Sequence, residues 1–221
     1  MLTLGAVLGV GRPAGAAMSR FVAPVTLTGT RWVQLEPLTS AYVSEIASAA
    51  ADGDPGQLWF TMAPSPQTAA EWVDRMLGLQ ADGGLTFLVR RLDGTPIGSS
   101  SYLNVDGPNR RLEIGATWYA ASARRSGVNS EAKLLMLGHA FDALGCVAVE
   151  FRTHFFNFTS RTAVERLGAK LDGVLRSNQL LPDGSRRDTV VYSILDVEWP
   201  SVRNHLTFRL SQGGGSGTSA K

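Results

Sequence analysis

Three strand-like segments follow one another between Leu85 and Tyr119 with almost no chain between them. They are Leu85–Arg90, Ile97–Val105 and Arg111–Tyr119, linked by Asp93-Gly94-Thr95 and by Asp106-Gly107-Pro108-Asn109. Links this short can only reverse the chain, because a parallel crossover needs a dozen or more residues. Asp-Gly is also a strong hairpin signal. The centre of the chain is therefore expected to be an antiparallel meander, with every other element packed on it or beside it.

The flanking segments change period. Arg31–Leu35 reads as a strand closed by Pro37. A helix follows to Ala51, with Thr39 or Ser40 suited to cap it. Ser65-Pro66 precedes a second helix, Gln67–Gln80, with Ala70, Val73, Met76 and Leu77 at helical spacing, ended by Asp82-Gly83-Gly84. After the meander, Ser130–Leu144 has a broad apolar face and stops at Gly145. Cys146–Thr153 reads as an apolar strand and Ser160–Leu167 as a short helix stopped by Gly168. Val174–Leu181 and Thr189–Leu195 read as two last strands, and Val197–Leu210 as a closing helix with Pro200 in its first turn. The order β-α-α-β-β-β-α-β-α-β-β-α predicts a single mixed α/β domain, residues 21–211, with a mostly antiparallel sheet of about seven strands flanked by helices. At 221 residues the chain has room for one such domain.

Several functional classes are disfavoured. Lysine plus arginine is 21 and aspartate plus glutamate 19, a balance of +2 that argues against a protein working by phosphate neutralisation on nucleic acid. Cys146 is the sole cysteine, so there is no intrachain disulfide and no multi-cysteine zinc site. His139, His154 and His205 stand in unrelated contexts, and no metal is expected. No apolar run reaches the roughly 18 residues of a membrane helix. Within residues 1–20, the stretch Met1–Ala17 is apolar and small, but it has no Lys or Arg before its apolar part, and Arg12 and Pro13 interrupt it. A disordered extension, or a start at Met18, fits better than a signal peptide. Gly9-Val10-Gly11-Arg12-Pro13-Ala14 matches G-x-G-x-x-A without the strand and helix that motif requires. Residues 212–221 read as a flexible tail.

The segment Ser122–Ala132 carries the chemistry. A strand ends, a polar loop with Gly127 follows, and a helix begins. Such a junction directs unsatisfied N–H groups and the positive end of the helix dipole at one spot, which suits an anion such as pyrophosphate. Arg124 and Arg125 can add charge-assisted contacts. Taken alone, two arginines in a loop read as readily as a solvated helix entry.

Arg124-x-x-Gly127-x-Asn129 resembles the acyl-CoA pyrophosphate loop of the GCN5-related N-acetyltransferases (GNAT), usually written (Q/R)-x-x-G-x-(G/A). Asn129 departs from the last position, which is compatible with binding through backbone N–H groups. Asn157-x-x-Ser160-Arg161-x-x-Val164-x-x-Leu167-Gly168-Ala169 resembles the second signature of that family. Leu112-Glu113-Ile114-Gly115, Asn129-x-Glu131-Ala132-Lys133, Glu165-Arg166-Leu167-Gly168-Ala169 and Leu181-Pro182-Asp183-Gly184-x-x-Arg187-Asp188 are similar to the RimJ/RimL-like ribosomal-protein branch. Together these blocks cover roughly Val25 to Leu210.

The resemblance implies direct transfer of an acetyl group from acetyl-CoA, a co-substrate, to an amine. Arg124, Arg125, Ser126, Gly127, Val128, Asn129, Ser130 and Asn157 would hold acetyl-CoA. Glu113 would be the base, through water; it reads equally as a strand carboxylate paired with Arg110 or Arg111. Ser160 would hydrogen-bond the leaving sulfur, where Val164 replaces the family's usual tyrosine; it also reads as a helix cap. A backbone N–H of the family's fourth strand commonly serves the thioester oxygen.

Outside those positions the plainer readings prevail. Glu131 reads as a first-turn acid. His154 has a titration range suited to proton transfer, but a structural role is the default. Cys146 reads as core, and Trp59, Phe60, Trp72 and Trp118 as core or as lining of an acceptor cleft. The acceptor is an amine, either a protein N-terminus or a small molecule. A non-catalytic acyl-CoA-binding or regulatory protein of the same fold is the alternative. A cytoplasmic location, no membrane or nucleic-acid partner, and a homodimer suited by the apolar meander and closing helix complete the expectation.

Overall fold

The meander forms as its turns require: β3 (Leu85–Arg91), β4 (Pro96–Asp106) and β5 (Arg111–Tyr119) pair antiparallel in sequence. The computed structural model describes residues 20–53, 61, 63–181 and 183–212. Apart from Arg20 and Gln212, the expected extension and tail lie outside these residues, as do Trp59, Phe60 and the Gly9–Ala14 pattern. The remaining elements are β1 (Leu27–Thr28), β2 (Val33–Pro37), α1 (Val43–Ala51), α2 (Ala69–Ala81), α3 (Val128–Gly138), β6 (Ala148–His154), α4 (Phe158–Glu165), β7 (Lys170–Leu180), β8 (Arg186–Leu195) and α5 (Trp199–Ser211). They build one eight-stranded sheet of order β1-β2-β3-β4-β5-β6-β8-β7, in which β5 and β6 are parallel and all other neighbours antiparallel. The strand beyond the expected seven is the two-residue β1.

Alternation along β3 shows how the layers are made. Phe87 and Val89 point into a core shared with Met136 and Leu137 of α3 and Leu206 of α5. Leu88, between them, points into a second core with Ile46 of α1 and Trp72 and Val73 of α2. Successive strand residues face opposite ways, so a run of apolar residues can serve helices on both faces.

Helix ends follow local chemistry. α2 buries Ala69, Trp72, Val73 and Met76 at helical spacing. It closes in a Schellman turn, with the Gly83 N–H donating to the Gln80 carbonyl and the Gly84 N–H to the Leu79 carbonyl, both at 3.1 Å. Gly83 has φ +100, which a residue with a side chain would resist. Neither Thr39 nor Ser40 makes a side-chain cap; a short 3₁₀ turn over Ser40–Tyr42 leads into α1 instead. α3 begins at Val128, two residues before the expected Ser130, and widens into a π turn over His139–Ala143 before Gly145 at φ +66. β7 begins at Lys170, four residues before the expected start, and Cys146 precedes β6 rather than opening it.

One buried carboxylate ties the first strands to α3. Glu131, 4% exposed, accepts four backbone N–H groups. Its Oε1 takes those of Thr30 and Arg31 at 3.0 and 3.1 Å, and its Oε2 those of Trp32 and Val33 at 2.7 and 2.9 Å. The β1–β2 turn is thereby closed around the first turn of α3. Gly29 leaves the room: a Cβ there would sit 2.5 Å from the Glu131 carboxyl carbon. Glu131→Gln keeps the shape but turns an NH2 toward two N–H donors. It is expected to lower the unfolding free energy by about 2–4 kcal/mol, measured by urea denaturation.

Candidate active site

β5 and β6 pair for three residues only, Arg111–Glu113 against Ala148–Glu150, and then part. β5 remains bonded to β4 and β6 to β8, so only the facing edges open. Beyond Glu113 and Glu150 these edges present backbone groups with no strand partner, which suits an extended guest carrying amides. The opening runs six residues from Glu113 to Tyr119, about 20 Å of strand.

A bulge shapes its wall. Ser101 pairs with Gly115 and Ser99 with Trp118, so three steps on β5 span two on β4. Ala116 lies within it at φ +47. The extra residue reverses which face each later side chain takes. Leu112 and Ile114 lie in the α3-side core, whereas Trp118, of the same parity, lies in the α1/α2 core. Thr117 is turned toward α3 instead, where Lys133 Nζ donates to its hydroxyl at 2.8 Å.

At the apex a cleft of about 270 Å³ is lined by Trp72, Trp118, Asn104, Glu113, Arg152 and His154, together with residues of the β7–β8 hairpin. Glu113 is 6% exposed. Its Oε2 accepts from Asn104 Nδ2 at 2.6 Å, and Arg152 Nε stands 3.7 Å away. Burial pushes its pKa above the ordinary carboxylate value; the Asn104 hydrogen bond and Arg152 oppose the rise without cancelling it. The ion pair foreseen with Arg110 or Arg111 does not form, since Arg111 pairs with Glu150 at 2.6 Å. Asn104 escaped the sequence reading. It sits in β4 at φ +46, a conformation asparagine tolerates better than most residues, and no motif marks it.

The far end of the opening is the Arg124–Ser130 junction. Ala121 and Ser122 N–H groups bond the Asp52 carbonyl and carboxylate, at 2.8 and 3.1 Å, which anchors the loop to the end of α1. Ser126 Oγ donates to the Ala123 carbonyl at 2.6 Å and accepts from Val128 N at 3.3 Å. Asn129 and Ser130 lie in the first turn of α3, where N–H groups have no intrahelical acceptor. Gly127 is required by contact rather than by φ: a Cβ would come within 2.7 Å of the Trp32 indole. Arg124 folds back, its Nε donating to the Tyr119 carbonyl at 3.0 Å, and Arg125 is exposed at φ +56.

Asn157 caps α4, its Oδ1 accepting from Ser160 N at 3.0 Å. The cap is thus Asn157, not Ser160. Asn157 lines the cleft and keeps its Nδ2 for another partner; half-buried Ser160 stands one helical turn behind, outside the cleft lining. His154 is buried in the cleft wall, its Nδ1 accepting from Phe156 N at 3.1 Å, with its pKa lowered by burial and by Arg187. Trp72 and Trp118 are both core and cleft lining, packed edge to face at 5.9 Å. His139 stacks on Tyr102, His205 reaches the Arg166 carbonyl at the surface, and Cys146 is buried in the core. No group of three or more metal-ligating side chains is found among the described residues.

A family profile described as an acetyltransferase (GNAT) domain matches residues 33–170. Among solved structures, a Thermus protein (T. thermophilus) described as a candidate acetyltransferase is 34% identical, with the match covering 86% of this chain and 98% of that one at a TM-score of 0.73. A GCN5-related N-acetyltransferase from Brucella melitensis is 28% identical over 85% and 86% of the two chains, with a TM-score of 0.76. Mycobacterium smegmatis RimJ, solved in complex with CoA-disulfide, is 24% identical over 84% and 95%, with a TM-score of 0.70, a likeness of fold. No curated protein matches the chain in sequence.

Lys133, one turn into α3, is 4% exposed and meets hydroxyls only: Nζ donates to Ser100 Oγ at 2.7 Å and to Thr117 Oγ1 at 2.8 Å. Burial holds its pKa down to about 7. Below that value both folded and unfolded chains carry the charge, and the burial cost is fully present. Between it and the 10.5 of an unburied lysine the unfolded chain binds more protons, so stability rises with pH. The rise is expected to approach about 1.4 kcal/mol per pH unit. Lys133→Met should flatten it and be more stable than wild type at pH 6, as seen by denaturant titration across pH; an unchanged slope would refute the assignment.

Proposed function

Since the chain belongs to the GNAT acetyltransferase family, we propose that it is an N-acetyltransferase moving an acetyl group from acetyl-CoA directly to a primary amine. The acceptor is a protein N-terminal amine, as in the RimJ/RimL-like branch, or a small-molecule amine. The observation that carries this reading is the parting of β5 and β6, with a buried carboxylate at its apex and a helix N-terminus at its far end.

The chain's own groups fit the parts. The first-turn N–H groups of Asn129 and Ser130, with Arg124 and Arg125, suit the pyrophosphate. Asn157 Nδ2 and the open edges of β5 and β6 suit the amide-bearing arm. When bound, acetyl-CoA supplies a thioester carbon that forms the C–N bond as the C–S bond breaks, the sulfur leaving with the electron pair and taking up a proton. Glu113 takes the proton that the amine loses, through water, and its raised pKa keeps the carboxylate basic enough to do so. Asn104 and Arg152 hold that carboxylate in place. Ser160 would assist the departing sulfur.

Dependence on acetyl-CoA fits a cytoplasmic setting. A homodimer belongs to the same reading, with Leu171, Val174, Leu175 and Leu180 exposed along edge strand β7 and Phe208 exposed on α5. The binding-only alternative draws on Val164, which is packed in the core where the family's usual motif has a phenol.

Two variants test the reading. Asn129→Asp adds an acid where the helix dipole favours one, so the chain should fold normally. The same charge opposes a pyrophosphate, and acetyl-CoA affinity by calorimetry should fall about tenfold or more. Glu113→Gln should leave acetyl-CoA binding intact and lower amine-dependent CoA release by about 10²–10⁴. In wild type, kcat/KM should rise with pH through a pKa above the ordinary carboxylate value, and that limb should vanish in the variant. Acetyl-CoA binding with no acceptor-dependent turnover would favour the binding-only protein.

A further inference from the structure

Arg187 is a cation in the cleft that makes no direct ion pair among the described residues. It lies near the start of β8, half-buried, and its Nε is fully buried with no hydrogen-bond partner. No carboxylate stands within ion-pair distance of it among the described residues. Arg152, its neighbour in the cleft wall, is paired with Glu150 at 2.9 Å. Two residues on from Arg187, Thr189 is 2% exposed and its hydroxyl likewise has no partner. Both residues line the cleft.

The register puts them on one face. Thr189 pairs with His154 and Ser193 with Glu150, while Glu150 pairs with Glu113. Residues directly opposite share a face, as do residues two apart along a strand. Arg187, Thr189, His154, Arg152 and Glu113 therefore all look out from the same side of the sheet. Arg187 and Glu113 are close enough for each charge to act on the other.

A buried N–H and a buried hydroxyl left unpaired on one strand mark a place for an acceptor atom. A guanidinium matches the two oxygens of a carboxylate, and desolvation in a cleft wall strengthens that preference. Glu113, across the cleft, offers the complementary charge to an ammonium. We propose that the acceptor is a compact amino-carboxylate, such as a free amino acid, whose carboxylate is held by Arg187 and Thr189 while its amine faces Glu113. This rests on the acetyl-transfer reading above. An amine with no carboxylate would leave Arg187 and Thr189 unsatisfied in the complex, which is how a polar site rejects an analogue lacking its partner group.

The test uses the full chain and a panel of free amino acids, each beside its carboxamide and its decarboxylated amine, with N-terminal peptides as a further arm. CoA release gives turnover, and titration of each amine into CoA-saturated protein gives binding without chemistry. At least one free amino acid should be turned over, and bound, about tenfold or more better than its carboxamide. Arg187→Met should raise KM for the acid and erase the preference with KM for acetyl-CoA unchanged. Arg187→Lys should restore part of it, and Thr189→Val, nearly the same size, should weaken it less. Equal use of acid and carboxamide, preference for peptides or decarboxylated amines, or no turnover of any amino-carboxylate by protein that binds acetyl-CoA would each overturn the inference. Failure to bind acetyl-CoA would instead bring down the acetyl-transfer reading itself.

Discussion

The Glu131 carboxylate is the contact on which the α3 end of the candidate site depends. Four N–H groups from consecutive residues, Thr30–Val33, converge on its two oxygens. A neutral side chain could not satisfy them, since an ionised carboxylate offers acceptor capacity alone. The turn so fixed carries Trp32, and the Trp32 indole is the surface against which Gly127 rests. Gly127 in turn sets the entry into α3, and hence where the first-turn N–H groups point. One acid thus couples the edge of the sheet to the N-terminal end of a helix. The charge also sits in the first turn of α3, where the helix dipole favours it, so local and long-range preferences agree.

The other end of the site depends on a single inserted residue. Without the bulge at Ala116, the parity of β5 would send Trp118 toward α3 and Thr117 toward the cleft. With it, Trp118 packs against Trp72 beneath α2, and Thr117 becomes a partner of Lys133. The positive φ of Ala116 is a local cost held in place by β4 on one side and the two helical layers on the faces. The parting of β5 from β6 begins just before this irregularity, so the wall of the cleft is built from the stretch of strand that departs from regular pairing.

The meander, the element order and the glycine stops were legible because each rests on local chemistry: Asp-Gly turns, a change of period from two to 3.6, and a left-handed residue at Gly83 or Gly145. The Arg124–Asn129 loop was legible as a strand-to-helix junction and Glu113 as a carboxylate on the third meander strand. Register was not legible, and the site is largely a matter of register. Asn104 reaches Glu113 across the β4–β5 ladder, while Arg187 and Thr189 lie beyond β6 on β8; no spacing along the chain reports either. Glu131 looked like an ordinary first-turn acid, since a partner some hundred residues upstream leaves no mark on the helix pattern. Asn157 rather than Ser160 caps α4 because both residue types cap well, and the choice turned on a helix start two residues earlier than expected.

Satisfied and unsatisfied polar groups are distributed unevenly. Around β2, β3 and the first turn of α3, Glu131 and the Thr86–Ser101 hydroxyl pair have their partners, while Ser99 Oγ, opposite Leu88, does not. Where the sheet opens, Trp118 Nε1, Thr189 Oγ1 and Arg187 Nε are buried without partners. An unpaired buried polar group costs stability that a fold retains only where something else requires it. The larger apolar core runs the length of the sheet beneath α3 and α5, from Val33 and Phe87 to Val149 and Ile194, and the smaller one lies between the sheet and helices α1 and α2; together they supply the stability that the cleft gives up. Packing on these cores can hold Glu113 and the α3 terminus in fixed relation, while the cleft keeps unpaired donors that a guest could use. A substitution that filled the cleft with apolar side chains should accordingly make the chain more stable and less able to bind, whereas one in the β2–β3 core should weaken both together.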